Sequence, residues 1–169
     1  MLPARFLTDA SLDRLARWLR FLGYDVLTHR GARLEELFEL AARDGRTVLT
    51  QSPRHPKRYA DIPAMQVPRD DDALALRRIV AAHEATTAPF TRCPICNDAL
   101  MERSAFEARG EVPGRVTRGG SPLRYCPSCS KWFWVGSHVA RIIAWLEDAL
   151  GRSIGIPLNE PPGPPNSLK

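Results

Sequence analysis

The sequence is short of membrane-length apolar runs, of targeting signals and of cysteine, and each shortage narrows its class. No apolar run approaches the roughly 20 residues that a membrane-spanning helix needs. The opening Met1-Leu2-Pro3-Ala4-Arg5 has no apolar stretch of the signal-peptide kind. These absences set the expected compartment as the cytoplasm and exclude a membrane partner. There is no internal repeat beyond a pair of cysteine knuckles. A hydrophobic fraction of 44% is that of an ordinary soluble globular chain, and 169 residues hold one domain or two small ones. The net charge of +5 is mildly basic. It suits a polyanion such as RNA, and it suits an unremarkable basic surface equally well.

The four cysteines that are present form the strongest pattern in the chain. They stand as Cys93-Pro94-Ile95-Cys96 and Cys126-Pro127-Ser128-Cys129. Two Cys-x-x-Cys knuckles supply the four thiolates of a tetrahedral structural zinc site, with the intervening segment closing as a small β ribbon. Two disulfides are disfavoured in a chain with no mark of secretion. A redox pair would not call for a second copy. A four-thiolate site has no open coordination position, so its zinc holds structure and does not catalyse. Any chemistry must lie in the chain before the ribbon.

That chain alternates strands and helices. Residues 5–8 read as a strand ending at Asp9. Ser11 then stands as a helix N-cap ahead of Leu12, Leu15, Ala16, Leu19 and Leu22 at helical spacing, with Gly23 at the C-terminal stop. Arg14, Arg17 and Arg20 fall on the wet side of this helix or its margin. A second strand covers 24–28. A second helix carries Leu34, Leu37, Phe38 and Ala41 and is stopped by Gly45. Thr47-Val48-Leu49-Thr50 is a third strand. Residues 51–63 form a loop with Arg54, Lys57 and Arg58, residues 64–67 a fourth strand, and 71–83 a third helix. A last helix spans 139–150. Five prolines from Pro157 onward make a tail expected to be disordered or to wrap loosely over the surface.

The alternation predicts an α/β fold, a small parallel sheet flanked by helices. Ligands in such sheets bind at the carboxyl ends of the strands. That edge collects Asp9 and the turn Thr50-Gln51-Ser52, with Glu35 and Glu36 in reach. Carboxylates there suit magnesium or manganese, which activate water and neutralise charge on a scissile phosphate. Each acid also has a plainer reading. Asp9 can cap a helix, Glu35 and Glu36 can be first-turn acids favoured by the helix dipole, and Asp25 can face solvent. Asp70, Asp71 and Asp72 read as caps of the third helix.

Phe6-Leu7-Thr8-Asp9, the run from Leu12 to Asp25, Gly45-Arg46-Thr47-Val48-Leu49-Thr50, both knuckles and Trp134-Val135-Gly136-Ser137-His138 together resemble the Mut-seven C-terminal RNase family. The likeness covers about residues 5 to 148. It implies a PIN-like nuclease domain (1–88), then a four-cysteine zinc ribbon with a terminal helix (89–150), ahead of the Pro-rich tail (151–169). It also implies a magnesium- or manganese-dependent ribonuclease in which Asp9 matches the first family acid and Glu35 falls at or beside the acid opening the second helix. The chain departs from the family at three places. The third strand is followed by Gln51-Ser52 where the family has Arg-Asp, the second helix opens Arg33-Leu34-Glu35-Glu36 without the usual Asp pair, and Asp13 replaces a Gly.

RNA binding has support of its own. Arg92, Arg103, Arg109, Arg115, Arg118, Arg124 and Lys131 punctuate the ribbon, and Tyr125, Trp132, Phe133 and Trp134 offer faces for bases. The same aromatics can instead alternate between ribbon core and surface. His138 can touch RNA or pack on the ribbon. Three functions follow: a ribonuclease using Asp9, Glu35 and Glu36; a catalytically degenerate RNA-binding or ribosome-associated protein, with ribosome or tRNA as its partner; and a protein–protein adaptor.

Overall fold

The computed structural model describes residues 4–31, 33–120 and 122–156. Most of the Pro-rich tail, 157–169, lies outside the described residues, and so does the expectation placed on it. Four strands, β1 (Arg5–Asp9), β2 (Asp25–His29), β3 (Thr47–Thr50) and β4 (Ala64–Gln66), form a parallel sheet in the order β2-β1-β3-β4. Three helices, α1 (Asp13–Phe21), α2 (Leu34–Asp44) and α3 (Asp72–Ala82), alternate with them.

The central strands are apolar on both sides because both sheet faces are covered. On β1, Phe6 faces a core built with Leu15, Leu19, Leu76 and Ile79, while Leu7 faces a second core with Leu37, Phe38 and Ala41. β3 repeats the alternation, with Leu49 in the first core and Val48 in the second. α1 and α3 therefore cover one face and α2 the other.

The order fixes where a crevice opens. The chain steps from β1 to β2 in one direction, then returns past β1 to β3. Crossovers of one hand taken in opposite directions put their helices on opposite faces, which leaves a gap above the carboxyl ends of β1 and β3. Thr8 Oγ1 donates to Leu49 O at 3.0 Å and ties these two strands together just below that gap.

Gly23 follows α1 with φ +91, and a Cβ there would stand 2.1 Å from the carbonyl oxygen of Thr87. The left-handed turn and the close passage of 87–88 both require glycine.

The ribbon is a three-stranded antiparallel sheet of β5 (Met101–Arg103), β6 (Leu123–Cys126) and β7 (Lys131–Trp134). A short helix, α4 (Gly114–Arg118), sits in the long connection before β6. The last helix, α5 (Ser137–Leu150), returns to the first core, where it contributes Ile143 and Leu146.

Three expectations change. Ser11 is no helix N-cap. Asp9 caps a single 3-10 turn (Ala10–Leu12), accepting from Ser11 N–H at 2.8 Å and from its hydroxyl, and α1 begins only after that turn. Arg20 is not on the wet side; it is 2% exposed. Asp25 does not face solvent, because Arg46 meets it at 2.7 Å in a half-closed pair.

Candidate functional site

Two sites emerge, a metal centre in the ribbon and a cleft over the sheet. In the first, the sulfurs of Cys93, Cys96, Cys126 and Cys129 all lie within 4.8 Å of one another. Cys93 and Cys129 are 3.9 Å apart and Cys96 and Cys126 3.4 Å. A tetrahedral zinc with bonds of about 2.3 Å needs sulfurs roughly 3.8 Å apart, so the donor set fits it. All four cysteines are free of disulfides. Burial pushes the Cys93 thiol well up, and it pushes Cys129 up to about 11. Thiols so hard to ionise become ligands through the charge of the ion they bind.

Each knuckle turns the same way. The residue after its second cysteine, Asn97 or Ser130, takes a positive φ of 76 or 51. The first knuckle does more than bind metal. Asn97 Oδ1 accepts from Val26 N–H at 3.0 Å, and its Nδ2 donates to Asp25 at 2.8 Å. Arg20 donates to Val26 O, to Thr28 Oγ1, and to the knuckle carbonyls of Pro94 and Ile95 at 3.1 and 3.0 Å. Burial lowers the pKa of this guanidinium, but every direction it points holds an acceptor. The knuckle is thus hydrogen-bonded to strand β2. At Asp25, burial works to raise the carboxyl pKa, and the hydrogen bonds from Arg46 and Asn97 outweigh it, so the net shift is downward.

The second site is a cleft of about 550 Å³ at the carboxyl ends of β1 and β3. Asp9, Ser11, Thr50, Gln51 and Ser52 line it, with Arg33, Leu34, Arg54 and Arg69. Asp9 is its one carboxylate. Oδ1 is held by Ser11, so the capping role and the cleft position coexist. Ser52 is fixed by two local bonds: its N–H donates to Thr50 Oγ1 at 3.0 Å, and its hydroxyl accepts from Arg54 N–H at 3.1 Å.

Neither of the other two acids lines it, though Glu36 stands at its edge, against Gly31 and Arg33. Glu35 is exposed on the first turn of α2, outside the cleft lining. Glu36 meets Arg33 at 2.6 Å and His29 at 3.5 Å, and the hydrogen bond from Arg33 leads the downward shift of its carboxyl. Among the described residues, only the four cysteines make a group of three or more close metal-type ligands. Asp71 caps α3 by accepting from Leu74 N–H, and Asp72 pairs with Arg14 at 2.5 Å.

The ribbon residues divide by role. Arg92 bonds Asn97 O, Arg103 meets Glu107, and Arg124 lies over the Phe90 ring. Arg109, Arg115, Arg118 and Lys131 are exposed. Trp132 and Trp134 pack on the small core of Ala108, Val112 and Val116, with Phe133 on the other side. His138 is exposed on α5 and lines a separate groove.

Sequence reasoning missed Arg69 and the cleft role of Arg33. Neither belongs to a motif. Arg69 is brought in by the turn after β4, and Arg33 precedes the first residue of α2.

A doubly wound parallel sheet with its crevice at the reversal of strand order, joined to a ribbon whose four cysteines can hold a metal, defines the class: an α/β protein with a cleft over the sheet and a four-cysteine ribbon. Residues 4–146 match the model of the Mut7-C RNAse domain, and the chain belongs to that family. No curated protein and no solved structure matches it.

Proposed function

We propose that the chain binds RNA, holding the sugar–phosphate backbone in the β1–β3 cleft with arginines, on a fold of ribonuclease type. One observation carries this reading: the cleft is lined by Arg54 and Arg69, and by Arg33 in its pair with Glu36, while Asp9 is the one lining carboxylate among the described residues. Guanidinium groups pair with phosphate oxygens in bidentate fashion, while one carboxylate is a poor cage for a divalent ion. Leu34 and Ser52 line the cleft where the family pattern leads one to expect acids. Exposed Arg109, Arg115, Arg118 and Lys131 on the ribbon add to the chain's basic surface.

A second reading, magnesium- or manganese-dependent hydrolysis, is favoured by the position of Asp9 itself, at the carboxyl end of the central strand. There Asp9 would hold an ion that supplies Lewis-acid charge neutralisation, which Glu35 would join only by turning in from outside the cleft. Glu36 would join it only by leaving Arg33.

The deciding measurement uses a labelled single-stranded RNA with magnesium, with manganese and with neither, on the zinc-loaded protein and on Asp9→Asn. Binding without any added divalent ion, and no cleavage in either protein, supports the RNA-binding reading. Cleavage that needs the ion and vanishes in Asp9→Asn overturns it in favour of the enzyme.

A further inference from the structure

A second depression lies beside the cleft and is built differently. It is a groove of about 690 Å³ between α1, α3 and α5, lined by Arg14, Trp18, Ile142, Trp145, Arg141 and His138, with 70–73 on its far side. Trp18 and Trp145 lean on each other, ring centroids 4.9 Å apart and planes tilted by 36°. Trp145 is 37% exposed, although indoles in a small protein bury when they can. Trp18 Nε1 is buried with no hydrogen-bond acceptor among the described residues.

The groove and the cleft share a rim. Arg69 lines the cleft and its neighbour Asp70 lines the groove, and Ser11 of the cleft lies three residues before Arg14 of the groove. Of the groove's three acids, Asp72 is paired with Arg14 and Asp71 accepts the capping bond of α3, while Asp70 stands exposed on the shared rim.

We infer that the Trp18–Trp145 groove is a nucleobase subsite, which stacks an unpaired base of the same RNA strand whose backbone lies in the cleft. This rests on the RNA-binding reading. An aromatic platform flanked by guanidinium groups is what single-stranded nucleic acid requires: stacking for the base, charge for the adjoining phosphate. Trp145 presents the stacking face, Arg141 and His138 stand beside it, and Trp18 buttresses it from beneath.

The test compares two short single-stranded RNAs of equal length, one with bases and one with abasic sugars, binding to the zinc-loaded full chain. Trp145→Ala is expected to weaken binding of the base-containing strand about tenfold and to leave the abasic strand unchanged. Trp145→Phe, which keeps a ring, is expected to retain most of the affinity and to guard against a folding defect. Equal affinity of wild type and Trp145→Ala for the base-containing strand overturns the subsite while leaving the cleft reading standing, and gives the groove to a protein partner. An equal loss on both strands overturns it too. Wild type that binds neither strand overturns the RNA reading and the subsite together.

Discussion

Ser52 is where residue chemistry decides between the two functional readings. Its hydroxyl accepts from Arg54 N–H, and a carboxylate at this position can accept the same bond. Ser52→Asp is therefore expected to fold normally and to place a second acid in the cleft beside Asp9. Its manganese affinity should exceed that of wild type, read by calorimetry, and its RNA affinity in the absence of metal should fall because the added charge repels phosphate. Unchanged manganese and RNA affinities would place residue 52 outside the reach of either ligand. Asp25 offers a sharper energetic case. It is 13% exposed and paired with Arg46. Asp25→Ala strands a buried guanidinium, and a loss of about 3 kcal/mol of stability is expected in urea unfolding. The folded carboxyl has a depressed pKa, so its stabilisation is present above the unfolded value near 3.9 and is lost as pH falls through the folded one. Wild type should lose stability below about pH 4 more steeply than Asp25→Asn does.

At the scale of elements, the first zinc knuckle and strand β2 are one unit. Arg20, Asn97 and Asp25 meet between them with their polar groups satisfied. Stripping zinc with a chelator should raise amide hydrogen exchange at Val26 in β2 as well as throughout the ribbon. Protection retained at Val26 after zinc loss would mean the joint holds without the metal. Most elements themselves were legible in the sequence. β3 was read at its observed bounds because four residues, rich in β-branched side chains, sit between Gly45-Arg46 and a polar loop. The cysteine spacing gave the metal centre directly. The joint was not legible. Helical periodicity assigns a charged residue between apolar positions to water, and the partners that make Arg20 a core residue lie 74 and 75 positions away in sequence. The same blindness hid the aromatic groove, since Trp18 and Trp145 sit on helices that the sequence places far apart. The turning of Glu36 toward His29 was hidden for another reason: it depends on the path of the short connection from β2 to α2.

For the whole molecule, a cleft held by a few arginines implies a measurable electrolyte effect. If Arg54 and Arg69 each neutralise one phosphate of a single strand, with Arg33 kept by Glu36, the logarithm of the binding constant should fall against the logarithm of salt with a slope of about −1.4. Arg69→Ala should reduce that slope by close to half and should leave the melting temperature unchanged, because the side chain is exposed. A slope near zero would remove the polyanion from the account altogether.

The paired knuckles are alike in shape and unlike in attachment. Asn97 anchors the first to the sheet, whereas Ser130, its counterpart in the second, is exposed at the head of β7. A bound metal would therefore be held by one knuckle anchored to the sheet and a second tied to the first through Ser128 and Asp98. Its departure is expected to begin on the second knuckle, at Cys129 ahead of the buried Cys93. A thiol reagent applied to the loaded protein should mark Cys129 ahead of Cys93, and the order of labelling would trace the path by which the ion comes and goes.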